Sequence, residues 1–345
     1  MLTGGNIAWT AGEIRSRALG ATCFEFSNRA ADRNVISYLF AFLGAMANAT
    51  GNALNRKASK DEPDSTAFRW KLFEDLIHKR AWLGAIGLMT LSFILSSVAL
   101  GTGELASVQL IIVLELPMTL IGGSLILGAR LAVRDWVAVA VMTGGVICLL
   151  ALLHPRTGPP KAIPPLEWIM ASLSNVGAIV VLFLAGRAHP APAARAGFLG
   201  LAAGFGYGLT AAFTKGFADR FSSGGVPAVL SSWQLYATVA AGVTSAFLLQ
   251  NAYQAGPLTA SQPGITLVDP IVSTIWGVLI FGEQVNHGLL LAFTPLPLIA
   301  VAGAVLALSR SPVLHLTQTG EDRTRAGRKQ ADLARAEAIS QAPEL

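Results

Sequence analysis

The hydrophobic positions of this chain fall in long runs broken by glycine, proline and charge, not in the two-residue alternation of a strand. Nine runs approach the about twenty residues that a helix needs to cross a bilayer. They are Val35 to Asn55, Trp82 to Gly101, Leu105 to Gly128, Trp136 to Leu153, Leu166 to Gly186, Gly197 to Thr214, Leu230 to Ala252, Leu258 to Phe281 and Gly288 to Ser309. Connections as short as Thr102 to Glu104 and Tyr253 to Pro257 leave room only for tight hairpins between antiparallel helices. The pattern predicts an all-α, polytopic integral membrane protein with about nine transmembrane helices.

The pattern also repeats. The stretch Leu105 to Arg130 recurs as Leu258 to Glu283, and at a constant offset of 153 Leu105, Gln109, Ile112, Leu114 and Pro117 match Leu258, Gln262, Ile265, Leu267 and Pro270. A weaker match pairs Leu43, Ala45, Ala53 and Lys57 with Leu201, Ala203, Ala211 and Lys215. The repeat units are then spans 1 to 4 and 6 to 9, joined by span 5. Because span 6 begins five crossings after span 1, the second unit is upside down, and an inverted repeat is a transporter architecture. The expected organisation is a polar N-terminal extension over 1–34, a transmembrane domain over 35–309 and a charged tail over 310–345. Within the domain, repeat one covers 35–153, the linking span 166–186 and repeat two 197–309.

Composition agrees: 53% of residues are hydrophobic and 13% charged, and between Phe221 and Leu308 the only charges are Asp269 and Glu283. That is too few for a soluble surface. The net charge of +5 is no nucleic-acid signal, because Lys and Arg gather at span ends, where they contact headgroups. The side carrying the 56–80 loop and the tail holds 17 Lys and Arg against 8 on the other, which makes it cytoplasmic. The N-terminus is then outside and the C-terminus inside the cell (plasma or inner) membrane. Residues 1–34 have no run long enough for a signal-peptide core and read as a mobile extension or a start placed too early. Phe68, Leu72, Leu76 and Ile77 share one face of a segment, Phe68 to His78, expected to lie in the interface. Cys23 and Cys148 support neither a disulfide framework nor a metal cluster.

The candidate chemistry lies in the repeated spans. Each carries one acid beside a proline, Glu115 before Pro117 and Asp269 before Pro270, and isolated carboxylates in hydrocarbon are costly to keep. Proline has no amide hydrogen and obstructs the carbonyl four residues earlier, so Pro117, Pro263 and Pro270 are expected to free the carbonyls of Val113, Thr259 and Thr266. In span 8, Gln262, Thr266, Asp269 and Ser273 are spaced by four, three and four, which puts amide, hydroxyl and carboxylate on one face. In span 3, Glu115 and Thr119 share a face while Gln109 points elsewhere. Asn48, Asn52 and Asn55 form a polar edge in span 1 that serves either as interhelical glue or as a substrate contact. Gly200, Gly204 and Gly208 recur every four residues, as in a close helix contact. Tyr207, Trp233, Tyr236 and Trp276 are candidates for an aromatic vestibule, and Glu283 and His287 read as a solvated helix end. No catalytic residue, metal site or cofactor is expected: the five histidines lie in loops or at span ends, and no nucleophile and base pair or ATP-binding loop is visible.

Several of these stretches carry a family likeness: Ala252 to Leu258, the Val268-Asp-Pro270 break, Phe281-Gly-Glu283, Leu209 to Lys215, and Leu105 to Gln109 with Glu115. Over residues 35 to 309 the chain resembles the drug/metabolite transporter superfamily, EamA-like branch, in a bacterial group related to the NIPA-type magnesium transporters. The resemblance implies an inverted-repeat carrier working by alternating access. Three function classes are weighed: a proton-coupled carrier of a small organic metabolite or drug, a divalent-cation transporter, and a membrane enzyme, the last disfavoured. The expected partners are the lipid bilayer and a small-molecule or ion substrate, with a homo-oligomer left open and no nucleic acid.

Overall fold

A computed structural model of the chain describes residues 34–52, 54, 80–127, 131–158, 163–286 and 292–311. The expectations for 1–33, the interfacial segment Phe68 to His78, Asn55, His287 and the tail beyond 311 lie outside the described residues. Among those described, the regular elements are α-helices, with an isolated β-bridge between Arg156 and Gln284. In chain order they are α1 (34–52), α2 (Arg80–Thr102), α3 (Leu105–Ile112), α4 (Glu115–Leu127), α5 (Val133–Leu153), α6 (Pro165–Ala188), α7 (Pro192–Leu230), α8 (Trp233–Ala255), α9 (Leu258–Leu279) and α10 (Pro295–Ser309).

Among the described residues, five stretches are long and apolar enough to cross a membrane: α2, α3 with the start of α4, α5, α6, and α7 to Phe221. A sixth is counted if Gly224–Leu230 and α8, bent by 56°, form one span. The expected nine are thus met only in part by length and apolarity. In α9 the polar run of Gln262, Thr266 and Asp269 dilutes the apolar side chains, and α10 has only 15 helical residues.

Three boundaries differ from the sequence pattern for local reasons. Span 3 is two helices, because Pro117 lacks the amide that would continue α3 and fits without loss in the first turn of α4, where amides need no helical partner. The Val113 carbonyl expected to be free instead accepts the Leu116 amide at 3.3 Å. Span 6 runs on to Leu230, bending at Gly225, whose φ of 62° and ψ of −153° suit glycine alone. Among the described residues of span 9, the α-helix is Pro295–Ser309.

Packing explains which helices are central. α7 packs against α6, α8, α9 and α2, and α3 packs against α9. One core joins Ala99 and Leu105 to Leu209, Phe213, Val272 and Trp276; a second joins Leu110 and Leu120 to Met142, Val146, Val301 and Val305 along α5 and α10. Outward faces are apolar as well. Ile169, Leu173 and Val181 on α6 and Val239, Val243 and Phe247 on α8 are exposed, a surface matched to lipid and unfavourable in water.

Contacts at the helix ends give the running directions. Ser37 on α1 donates to the carbonyl of Ala99 late in α2 at 2.9 Å, and Ser92 donates back to Gly44 at 2.7 Å, so α1 and α2 are antiparallel. The first amides of α3 meet Glu283, just past α9, so these two helices also run in opposite directions. Asn286 donates to Leu153, which brings the end of α5 to the same face. At the opposite face, Arg134 and Asp135 at the start of α5 bond to Arg310 and Ser311 after α10.

Candidate functional site

The break between α3 and α4 puts Glu115 in the first turn of a helix, where the amide dipoles favour a carboxylate. Asn48 and Asn52, one turn apart on α1, both reach it: their Nδ2 groups donate to Glu115 Oε1 at 2.7 and 3.2 Å. All three side chains are half-buried. The structure thus joins to the first acid two amides that sequence spacing could only set on an edge of span 1.

The second acid sits on α9, which stays helical through Pro263 and Pro270. Asp269 Oδ1 accepts from the Ser273 hydroxyl at 3.2 Å, and Ser273 is fully buried. One and two turns earlier come Thr266 and Gln262, both half-buried, and Gln262 Oε1 accepts from the Tyr253 hydroxyl at 3.4 Å. Gly200, Gly204 and Gly208 let α7 lie directly on this helix. A Cβ at Gly200 would sit 2.5 Å from the Ser261 carbonyl oxygen, and one at Gly208 would sit 3.3 Å from the Asp269 carbonyl oxygen. The close approach brings Tyr207 into electrostatic reach of Asp269, Glu115 and Tyr253, and Asp269 into reach of Glu115.

The four suggested aromatics do not gather. Trp233 and Trp276 join Trp168 and Phe213 in a cluster of tilted and edge-to-face rings with centroids 5.3 to 6.3 Å apart. Tyr236 is exposed and donates to Leu230, while Tyr207 goes with the acids. Two cavities of about 530 and 580 Å³ open beside α6, one between α6, α7 and α9 and the other against α7 and α8. Neither is lined by Glu115 or Asp269, so they do not mark the acidic cluster. Among the described residues, no three His, Cys, Asp or Glu side chains are grouped to hold a metal ion.

One expectation is overturned outright. Glu283 is no solvated helix end: it is 4% exposed, and its two oxygens accept the amides of Leu105 and Ala106 at the start of α3, the second at 3.1 Å. Burial pushes its carboxyl above the usual carboxylate range, while the nearby Lys215 ammonium and the two amides oppose the rise. Lys215, counted in the sequence as a charge at a span end, is 8% exposed and donates to the carbonyls of Leu100 and Gly103 at 3.1 and 2.8 Å. Glu104 in the short turn is 1% exposed and accepts from the amide and hydroxyl of Thr157 at 3.1 and 3.0 Å. The signal for this cluster was a lysine at the close of an apolar run, Lys215, and two acids that each follow a glycine, Glu104 and Glu283.

No family model matches this chain, and no solved structure matches it. It is similar to an uncharacterized protein of Corynebacterium glutamicum, 27% identical over 252 residues that make up 73% of this chain and 86% of that protein.

Proposed function

We propose that this chain is a secondary membrane transporter of the drug/metabolite type, moving a small organic metabolite or drug by alternating access with proton coupling, and not an enzyme. The observation that carries this reading is the convergence of two intramembrane acids from different parts of the chain. Glu115, held by Asn48 and Asn52, and Asp269, held by Ser273, lie within reach of each other and of Tyr207. Acids are expensive in an apolar bundle and are kept where they bind or relay something. Gln262 and Thr266 extend the same path along α9.

The architecture supports the reading from another side. The antiparallel contact of α3 with α9, and of the start of α5 with the end of α10, is what an axis lying in the membrane plane would produce between two inverted units. Chain directions that alternate from α1 onward favour nine crossings, with the short α10 and the polar α9 held by their neighbours. On that count, together with the charge bias, the C-terminus is cytoplasmic and the membrane is the cell membrane.

A divalent-cation transporter of NIPA type is the second reading. It is favoured by the mutual reach of the two carboxylates, which would serve as oxygen ligands. Flux in proteoliposomes separates the two. Asp269→Asn keeps the shape of the side chain but can neither exchange a proton nor neutralise a cation. Flux driven by a pH gradient should fall at least about tenfold with the protein still folded. Loss of magnesium uptake alone would favour the second reading, and wild-type flux of all solutes would reduce Asp269 to a packing residue.

A further inference from the structure

Two unpartnered polar atoms share one cavity, the space of about 580 Å³ between α6, α7 and α8. Gln234, in the first turn of α8, is 3% exposed, and its Oε1 has no hydrogen-bond partner. Ser172 of α6 lines the same cavity, and its Oγ is buried and equally unpartnered. Buried polar groups are costly to leave unpaired, and an amide oxygen can only accept. The cavity therefore suits an occupant that brings hydrogen-bond donors.

Its walls narrow the chemistry further. Among the described residues that line it, Arg220 alone carries a charge, and a guanidinium favours a phosphate or carboxylate. The nearby acids are engaged elsewhere: Asp219 lies 3.8 Å from Lys215, and Glu167 lines the other cavity. α8 begins here without a side-chain cap, so its first amides add to the positive character. The inner wall is aromatic, made by Trp168, Phe213 and Trp233. The outer rim is Ile169, Leu173 and Val176, one stripe of α6 that is exposed on the side a bundle turns to lipid. Phe281, just beyond α9, meets Trp168 edge to face with centroids 5.7 Å apart. The cavity thus stands level with a helix end, where tryptophans mark headgroup depth.

We propose that this cavity binds one bilayer lipid, an anionic phospholipid with hydroxyls on its headgroup, of the phosphatidylglycerol class. The phosphate pairs with Arg220, the headgroup hydroxyls donate to Gln234 Oε1 and Ser172 Oγ, and an acyl chain follows Ile169, Leu173 and Val176. A choline headgroup has the phosphate but no donor. An ethanolamine headgroup has donors, but its ammonium would stand beside the Arg220 guanidinium. The bound lipid braces α6 against α8, since α6 by itself rests mainly on α7. This site is separate from the two intramembrane acids, and its occupancy does not depend on what the protein transports.

The test uses the full chain, purified in detergent and stripped of lipid. It is titrated with phosphatidylglycerol, phosphatidylethanolamine and phosphatidylcholine of identical acyl chains, and native mass spectrometry reads the affinity for the first bound lipid. Phosphatidylglycerol should bind about tenfold more tightly than phosphatidylcholine, as two added hydrogen bonds would give. Gln234→Leu, similar in size but without an acceptor, should weaken phosphatidylglycerol about fivefold and leave phosphatidylcholine unchanged, which also shows that the cavity still forms. Ser172→Ala should act in the same direction and replaces Gln234→Leu if that variant does not fold. Arg220→Gln should weaken both lipids, since both carry the phosphate. Equal affinities in the native chain, or a preference that survives Gln234→Leu and Ser172→Ala, would overturn the site and leave the two atoms to ordered water. A matching loss of phosphatidylcholine in Gln234→Leu would make Gln234 a packing residue, and native binding in Arg220→Gln would remove the phosphate contact; either result overturns the assignment. Tighter binding of phosphatidylethanolamine would overturn the hydroxyl headgroup, and competition by glycerol phosphate at concentrations equal to the lipid would overturn the bilayer as its source.

Discussion

Glu115 is satisfied largely from α1. Asn48 makes the shorter of the two amide contacts, so Asn48→Ala should cost more than Asn52→Ala. Hydrogen bonds between transmembrane helices are modest in net worth, and the expected loss is on the order of 1 kcal/mol for Asn48→Ala and less for Asn52→Ala. Thermal unfolding of the purified variants in one detergent gives this ranking, and equal midpoints for both variants and the native chain would refute it. Flux should respond more strongly than stability, because Glu115 would lose its orientation. The two acids themselves were legible in the sequence, since a charge inside an apolar run is conspicuous. Their partners were not: Asn48 meets Glu115 across 67 residues, a distance that no local spacing encodes.

Between elements, the contact of α7 with α9 depends on missing side chains. A Cβ at Gly204 would fall 2.7 Å from the Gly264 carbonyl oxygen and 2.8 Å from Val268 Cβ, and Gly264 is equally tight against Leu201. Gly204→Ala should therefore overpack the seam and destabilise by about 1–3 kcal/mol. Gly177→Ala on α6, where a Cβ meets nothing within 4 Å, should stay within about 0.5 kcal/mol of the native chain. Unfolding midpoints measured side by side decide the matter, and an unchanged Gly204→Ala would mean the seam can slide. The four-residue glycine spacing was readable as a contact, although its partner was not. Proline positions were equally plain, but their outcome was not: Pro117 falls in the first turn of a new helix, whereas α9 absorbs Pro263 and Pro270 without breaking.

At the scale of the whole molecule, the ends of α2, α5 and α9 and the start of α3 meet at one face, and the start of α5 meets the end of α10 at the other. On the orientation proposed from the Lys and Arg count, the first face is external. A single cysteine at Thr102, in a chain lacking Cys23 and Cys148, should react with a membrane-impermeant thiol reagent applied to intact cells. One placed in the 56–80 loop should react only after the membrane is opened. The reverse pattern would mean that the Lys and Arg count had misread the orientation.

By itself the sequence determined the class of the molecule. Helical runs of this length and apolarity, with charge swept to their ends, have no stable home except a bilayer, because backbone polarity must be satisfied within each helix. It also singled out Glu115 and Asp269, since the cost of a charge in hydrocarbon is a local property of the run that carries it. Only the tertiary structure decided that Asn48 and Asn52 hold the first acid, and that Tyr207 approaches both acids instead of joining the tryptophans. Only the tertiary structure, too, buried Glu104, Lys215 and Glu283, with Glu283 on the first amides of α3, Lys215 on carbonyls at the end of α2 and Glu104 on Thr157, although Glu283 stands at a predicted helix end where water was the expected partner. Hydrogen bonds between segments more than fifty residues apart depend on which helix faces which, and that is settled by packing, not by the order of residues along the chain.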